Sequence, residues 1–197
     1  MLLALAVLVL GGAVLAVKLR PDASTASAAD RELQGWQQAV ADEPKSDVAQ
    51  TGLGLALLDA GRLSDAQAAF EEALRLNPEN WMANFQLGLM MRESQPDRAL
   101  DLLDLAAKNA EPGDKAVPLI AAGDIMLERG DAEGARDAYR RSIADVSYLF
   151  DSHLGLAKAL EQLGETQDAL EEYRSAARFA PDDPEVQAAI DRLKEQL

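Results

Sequence analysis

Cysteine is absent from the 197 residues and histidine occurs once, at His153. No disulfide and no thiolate metal site is therefore possible, and a lone histidine has no second imidazole with which to share a metal or a proton. Cations are scarce as well, with 19 Lys and Arg against 34 Asp and Glu and a net charge of −15. Lys18 and Arg20 both directly follow the first apolar run, so the remainder of the chain carries −17. Such a surface repels phosphate backbones, which excludes nucleic-acid binding; it reads either as a solvated face or as an attraction for basic partners. Aromatic residues make up 5% of the chain, and the one long uncharged run is Met1 to Val17.

Catalytic constellations are missing too. His153 reads as a packing or groove residue. Glu71-Glu72 and Glu171-Glu172 fall on outward helix positions as solvated faces, and the glycines of Gly52-Leu53-Gly54 lie inside a helical pattern, without the strand-to-helix context of a phosphate loop. The sequence predicts no enzyme, no cofactor and no metal site.

What is present begins with that apolar run. Its 17 residues span about 25 Å as a helix, the lower limit for crossing a bilayer core, and Lys18 can extend to the headgroups. Residues 1–20 are predicted to form a transmembrane anchor. A cleaved signal peptide, ending at the small residues Ala26-Ser27-Ala28, is the competing reading, weakened by the lack of a basic stretch before the run. With Lys18 and Arg20 on the C-terminal side, the positive-inside rule leans toward a cytoplasmic position for the rest of the chain. A secreted, periplasmic form is the alternative. Residues 21–29, PDASTASAA, read as a short linker.

From Asp30 onward a helical pattern recurs. Leu53-Gly54, Leu57, Gly61, Ala66, Phe70, Ala73 and Pro78 mark two short amphipathic helices around a glycine turn, and the small residue opening each second helix recurs as Ala66, Ala99, Ala135 and Ala169. In the second unit Gln95-Pro96 replaces the turn glycine, and Pro96 suits the first turn of a helix. In the third, Ser142 and Ser147 replace the second Ala and the terminal Pro, which predicts looser packing at that junction. Sliding the first unit back places Trp36 under Phe70 and Pro44 under Pro78, so residues 30–44 read as half a repeat with Trp36 as a buried cap residue, an exposed partner anchor being the alternative.

These residues resemble the tetratricopeptide repeat family over Asp30 to Leu197. The resemblance implies an all-α superhelix (α-solenoid) of about four repeats plus a half repeat and a capping helix. The predicted divisions are a half repeat at 30–44, repeats at about 47–80, 81–112, 116–147 and 150–183, and a cap at 184–197. It also implies a concave groove lined by the first helix of each repeat. An anchor followed by such repeats is similar to membrane-bound bacterial assembly factors, including those of cytochrome c maturation. By the family's register the groove presents Val48, Thr51, Leu55 and Leu58, then Met82, Phe85, Leu89 and Arg92, then Val117, Ile120, Asp124 and Leu127, then Asp151, Leu154, Lys158 and Glu161. The first three sets are largely apolar, which predicts a protein partner that docks an amphipathic helix or apolar segment. The expected role is a membrane-anchored adaptor or scaffold that assists assembly or localisation of a membrane complex; a permanent structural subunit of such a complex is the alternative.

Overall fold

The computed structural model describes residues 6–10, 13–17 and 28–197. Ala6–Leu10 (β1) and Ala13–Val17 (β2) pair antiparallel, with Ala6 opposite Val17 and Leu10 opposite Ala13. Apart from these two segments, the expected anchor over residues 1–20 and the linker residues 21–27 lie outside the described residues. No helix among the described residues is long and apolar enough to cross a membrane.

The ten helices are α1 Ala28–Asp42, α2 Asp47–Asp59, α3 Leu63–Leu76, α4 Trp81–Met91, α5 Pro96–Asn109, α6 Ala116–Glu128, α7 Ala132–Asp145, α8 Phe150–Gln162, α9 Thr166–Ala177 and α10 Pro184–Lys194 among the described residues. Local chemistry sets several ends. Ser46, Asn80, Asp131 and Asp183 each accept a hydrogen bond from a backbone N–H in the first turn of the helix they precede, satisfying a donor that the helix leaves free. Pro96 and Pro184 stand at helix starts, where their missing N–H costs nothing. Gly61, Gly130 and Gly164 turn the chain between paired helices at φ of 70°, 79° and 76°, a region that a side chain would strain.

The helices stack in pairs as a superhelix, α2 on α3, α4 on α5, α6 on α7 and α8 on α9, with α1 and α10 at the two ends. Small residues let them approach. Ala66, Ala99, Ala135 and Ala169, which open the second helices, are all fully buried. In the first three repeats a bulky side chain from the second helix lies on a glycine of the first: a Cβ added at Gly54 would come within 2.5 Å of the Phe70 ring, at Gly88 within 2.9 Å of Leu103, and at Gly123 within 2.7 Å of the Tyr139 ring. Burying one such side chain contributes roughly 1.5–3 kcal/mol relative to leaving it exposed.

The third junction corrects the expectation of looser packing. Ser142 and Ser152 are fully buried, their hydroxyl oxygens lie 2.7 Å apart, and the Ser142 hydroxyl lies 3.2 Å from the Ala116 carbonyl oxygen that accepts from it. A hydrogen-bonded pair replaces the alanine contact, and a hydroxyl buried in that way costs little. His153 is similarly built in. It is 6% exposed, its Nδ1 lies 2.7 Å from Glu172 Oε2 and its Nε2 3.1 Å from the Ser147 carbonyl oxygen, and its ring stacks on Phe179 at 5.9 Å.

Candidate partner-binding groove

The residues expected to face the groove stand on the first helices α2, α4, α6 and α8, and the structure gathers them into two clusters with different chemistry. At the N-terminal end, Val48, Thr51 and Leu55 of α2 and Met82 of α4 surround a cavity of about 420 Å³, together with Trp36, Trp81 and the turn residues Asn77, Glu79 and Asn80. Both tryptophans of the chain border it. Toward the C-terminal end, Ile120, Asp124 and Leu127 of α6 and Asp151, Leu154 and Lys158 of α8 surround a cavity of about 330 Å³ floored by Tyr139. Phe85, Leu89, Arg92 and Val117 lie outside both cavities, on the helices between them.

Exposure separates the expected contact residues further. Val48 is 64% exposed, Val117 48% and Leu89 37%, and they are the exposed large hydrophobic residues of the first helices among the described residues. Leu55, Leu58 and Phe85 are half-buried and pack against the core of the first two repeats. Thr51 departs from expectation. It is buried, its hydroxyl donates to the Asp47 carbonyl oxygen at 2.8 Å, and Asn80 Nδ2 donates to that same hydroxyl oxygen at 3.0 Å, so it braces the site from below and offers a partner little surface. Trp36 departs in the opposite sense: the predicted cap residue is only half-buried and borders the N-terminal cavity.

Polar groups divide between the two ends as well. Asp47 opens α2 and accepts hydrogen bonds from Asn77 and Asn80, both at 2.8 Å. Burial pushes its carboxyl upward, but the amide donors and backbone N–H groups outweigh that and hold it below its ordinary value. In the C-terminal half the charged groove residues are tied to one another. Tyr139 donates its hydroxyl to Asp124 at 2.6 Å, and Tyr173 donates to Glu161 at 3.0 Å. Burial and the neighbouring carboxylate both drive the two phenols upward. Arg92 pairs with Glu128, Arg192 with Glu161, and Lys158 with Glu185 at 2.7 Å. The Arg92 hydrogen bond lowers the Glu128 carboxyl, and that of Arg192 lowers Glu161. No group of three or more acids or histidines among the described residues is placed to hold a metal ion.

A family model described as tetratricopeptide repeat matches residues 51–114 and 120–184, well over half of the chain. The chain belongs to the tetratricopeptide repeat family. Its fold is shared with YrrB, a tetratricopeptide repeat protein with an unusual peptide-binding site, at a TM-score of 0.73, 14% identity and coverage of 83% of this chain and 84% of that one. PilF of Pseudomonas aeruginosa gives a TM-score of 0.75 at 16% identity, over 85% of this chain and 76% of the other. MamA gives 0.67 at 16% identity, over 81% and 98%. Comparison with curated protein sequences finds no match. Identities this low speak for the fold and leave the binding residues to be read from the repeat array itself.

Sequence reasoning missed Trp81, Asn77, Asn80 and Glu79 at the N-terminal cavity. A signal was present: Trp81 directly precedes the expected contact Met82, and the turn that ends each repeat opens beside the next first helix. The family's usual contact positions lie within first helices, which drew attention away from that turn.

Proposed function

We propose that the tetratricopeptide repeat array is a scaffold that holds an amphipathic helix or apolar segment of another protein along its first helices. The observation that carries this reading is the exposure of Val48, Leu89 and Val117 at successive inward positions of α2, α4 and α6, in a chain whose surface is otherwise strongly acidic. Isolated exposed apolar residues are ordinary, but one on the inward face of each of three successive first helices is the pattern expected of a face that meets a partner. The uncharged run before the repeats supports a finer reading, in which the scaffold is anchored at a membrane through residues 1–20 and assists assembly of a complex there.

The test uses the full chain. Leu89→Asp with Val117→Asp places two charges on exposed positions, so the fold should survive, as checked by circular dichroism and thermal unfolding. Partner capture in pull-downs from native membranes should fall at least about tenfold, equivalent to roughly 1.4 kcal/mol. Phe85 is a poorer choice because it packs against the core. Undiminished capture by the folded double variant overturns the groove reading. Membrane anchoring is tested separately: intact mass of the mature chain and its resistance to alkaline extraction should show residues 1–20 retained in the bilayer.

A further inference from the structure

The two cavities of the groove are the same place in two different repeats. One offset of 103 residues carries Trp36 to Tyr139, Val48 to Asp151, Thr51 to Leu154, Gly52 to Gly155 and Leu55 to Lys158. In both, an aromatic ring from a second helix lies on a glycine of the following first helix: a Cβ added at Gly52 would stand 2.5 Å from the Trp36 ring, and one at Gly155 2.3 Å from the Tyr139 ring. What differs is the other side of the ring. Tyr139 is also covered by α6, through Gly123 and Asp124, and is completely buried. Trp36 has no such helix among the described residues and stays half-exposed.

The rest of α1 shows the same open side. Its Glu32, Gly35 and Ala39 correspond to Ala66, Ala69 and Ala73 of α3, which are at most 5% exposed, yet Glu32 and Gly35 are exposed and Ala39 is half-buried. A Cβ at Gly35 would meet nothing. The preceding sequence does not repeat the pattern of a first helix. Sliding α2 back by the 34-residue interval reaches residues 13–25, where Arg20 falls under Gly54 and Pro21 falls in the helix interior. Arginine cannot serve as the small residue beneath a ring, and an interior proline costs roughly 3 kcal/mol.

We propose that the open side of α1 receives an amphipathic helix from a partner protein, which completes the interrupted repeat by taking the position that α6 holds over Tyr139. The proposal rests on the scaffold reading and identifies its anchor point. Three features define the helix. It carries Gly or Ala where it crosses Trp36, because α6 meets Tyr139 through Gly123. It carries bulky apolar residues three or four positions to either side, as Ile120 and Leu127 flank that glycine. It also carries Lys or Arg at its edges, because Glu32 is exposed where the repeats have a buried alanine, and Asp42 and Glu43 at the end of α1 are exposed against Lys45 alone.

The probe is a peptide of residues 116–128, the α6 sequence, extended by two lysines at each end. It is titrated against the full chain in mild detergent, and a Trp81→Phe background leaves Trp36 as the single fluorophore. Saturable blue shift of Trp36 emission is expected. A peptide carrying Gly123→Leu should bind about tenfold more weakly, as should one with glutamates in place of the lysines at low salt. By anisotropy of labelled peptide, Trp36→Ala should lose binding, and Leu105→Ser on the outer face should leave it unchanged. Absence of binding, or affinity indifferent to Gly123→Leu or to Trp36→Ala, overturns the proposal. So does shielding of Trp36 from iodide in the free chain: shielding independent of concentration makes the preceding segment of the same chain the occupant, and shielding that grows with concentration makes it a second copy. Loss of the probe in Leu89→Asp/Val117→Asp with Trp36→Ala unaffected overturns this placement while leaving the scaffold reading intact.

Discussion

The N-terminal and C-terminal halves of the array share one construction and use their side chains differently. Around α6, α8 and α10 the inward polar residues are committed to one another, with Asp124 held by Tyr139, Glu161 by Tyr173 and Arg192, and Lys158 by Glu185. Around α1, α2 and α4 the inward residues are mostly apolar and less enclosed, with Val48 and Leu89 exposed and both tryptophans bordering a cavity, although Thr51 is buried. A solenoid is stabilised by contacts between neighbouring repeats only, so each half can be optimised separately. Closing a ring between two first helices gives stability, whereas leaving it half-covered gives a surface for another molecule.

The largest effect should come from filling the two ring seats. Gly155→Val forces a branched side chain against an enclosed Tyr139 and should cost about 3 kcal/mol, whereas Gly52→Val meets a Trp36 that can swing outward and should cost under about 1 kcal/mol. Denaturant unfolding, followed separately by Trp36 and by a probe in α9, measures both; equal costs would break the contrast between open and closed seats. Next in size is Tyr139→Phe, which leaves a partly buried Asp124 without its donor and should cost about 1–2 kcal/mol, against less than about 0.5 kcal/mol for Trp36→Phe.

Acid should sharpen the comparison further. Asp47 is held below the ordinary carboxyl range by its amide and backbone donors, so its contribution is fully present above about pH 4, the unfolded value, and is lost as pH falls through the lower folded value. Asp47→Asn should therefore flatten the acid dependence of the N-terminal half while changing stability at pH 7 by less than about 1 kcal/mol. Thermal unfolding from acid to neutral pH reads this out, and an unaltered acid limb for the variant would show that Asp47 contributes nothing to it. The smallest effect is expected at Lys158 and Glu185, whose side chains are 39% and 64% exposed: a double-mutant cycle should give no more than about 0.5 kcal/mol.

Much of the fold was legible because its determinants are local. Ala66, Ala99, Ala135 and Ala169 state the repeat interval, and Gly61, Gly130 and Gly164 state the turns, so a repeated pair of helices could be read from the pattern, and the family from the resemblance of those motif residues. The groove was legible only as a face. Helical spacing placed Val48, Leu89 and Val117 on it, but whether a side chain on that face is open or engaged depends on partners some thirty residues away. Thr51 looked available until Asn80 reached it, and Lys158 until Glu185 did. Trp36 shows the converse. The register that matched it to Phe70 implied burial, yet it is half-exposed and borders a cavity. The serine pair at positions 142 and 152 was hidden for a similar reason: Ser142 alone looks like a defect, and the hydrogen bond that satisfies it comes from Ser152 on the next helix.

Asp145 carries one more consequence. Lys115, which precedes α6, provides no side-chain cap, and the carboxylate at the end of α7 takes that role by accepting from the backbone N–H groups of Gly113 and Ala116 at 3.0 Å. The start of α6 is thus written into the far end of its neighbour. Those two amides should behave as reporters of α7 in hydrogen exchange, since they gain protection only when both helices are in place. The first turn of α6 therefore gains this cap, worth about 1 kcal/mol, only once the chain has been made as far as residue 145, which couples the two helices more closely than sequence neighbours alone would be.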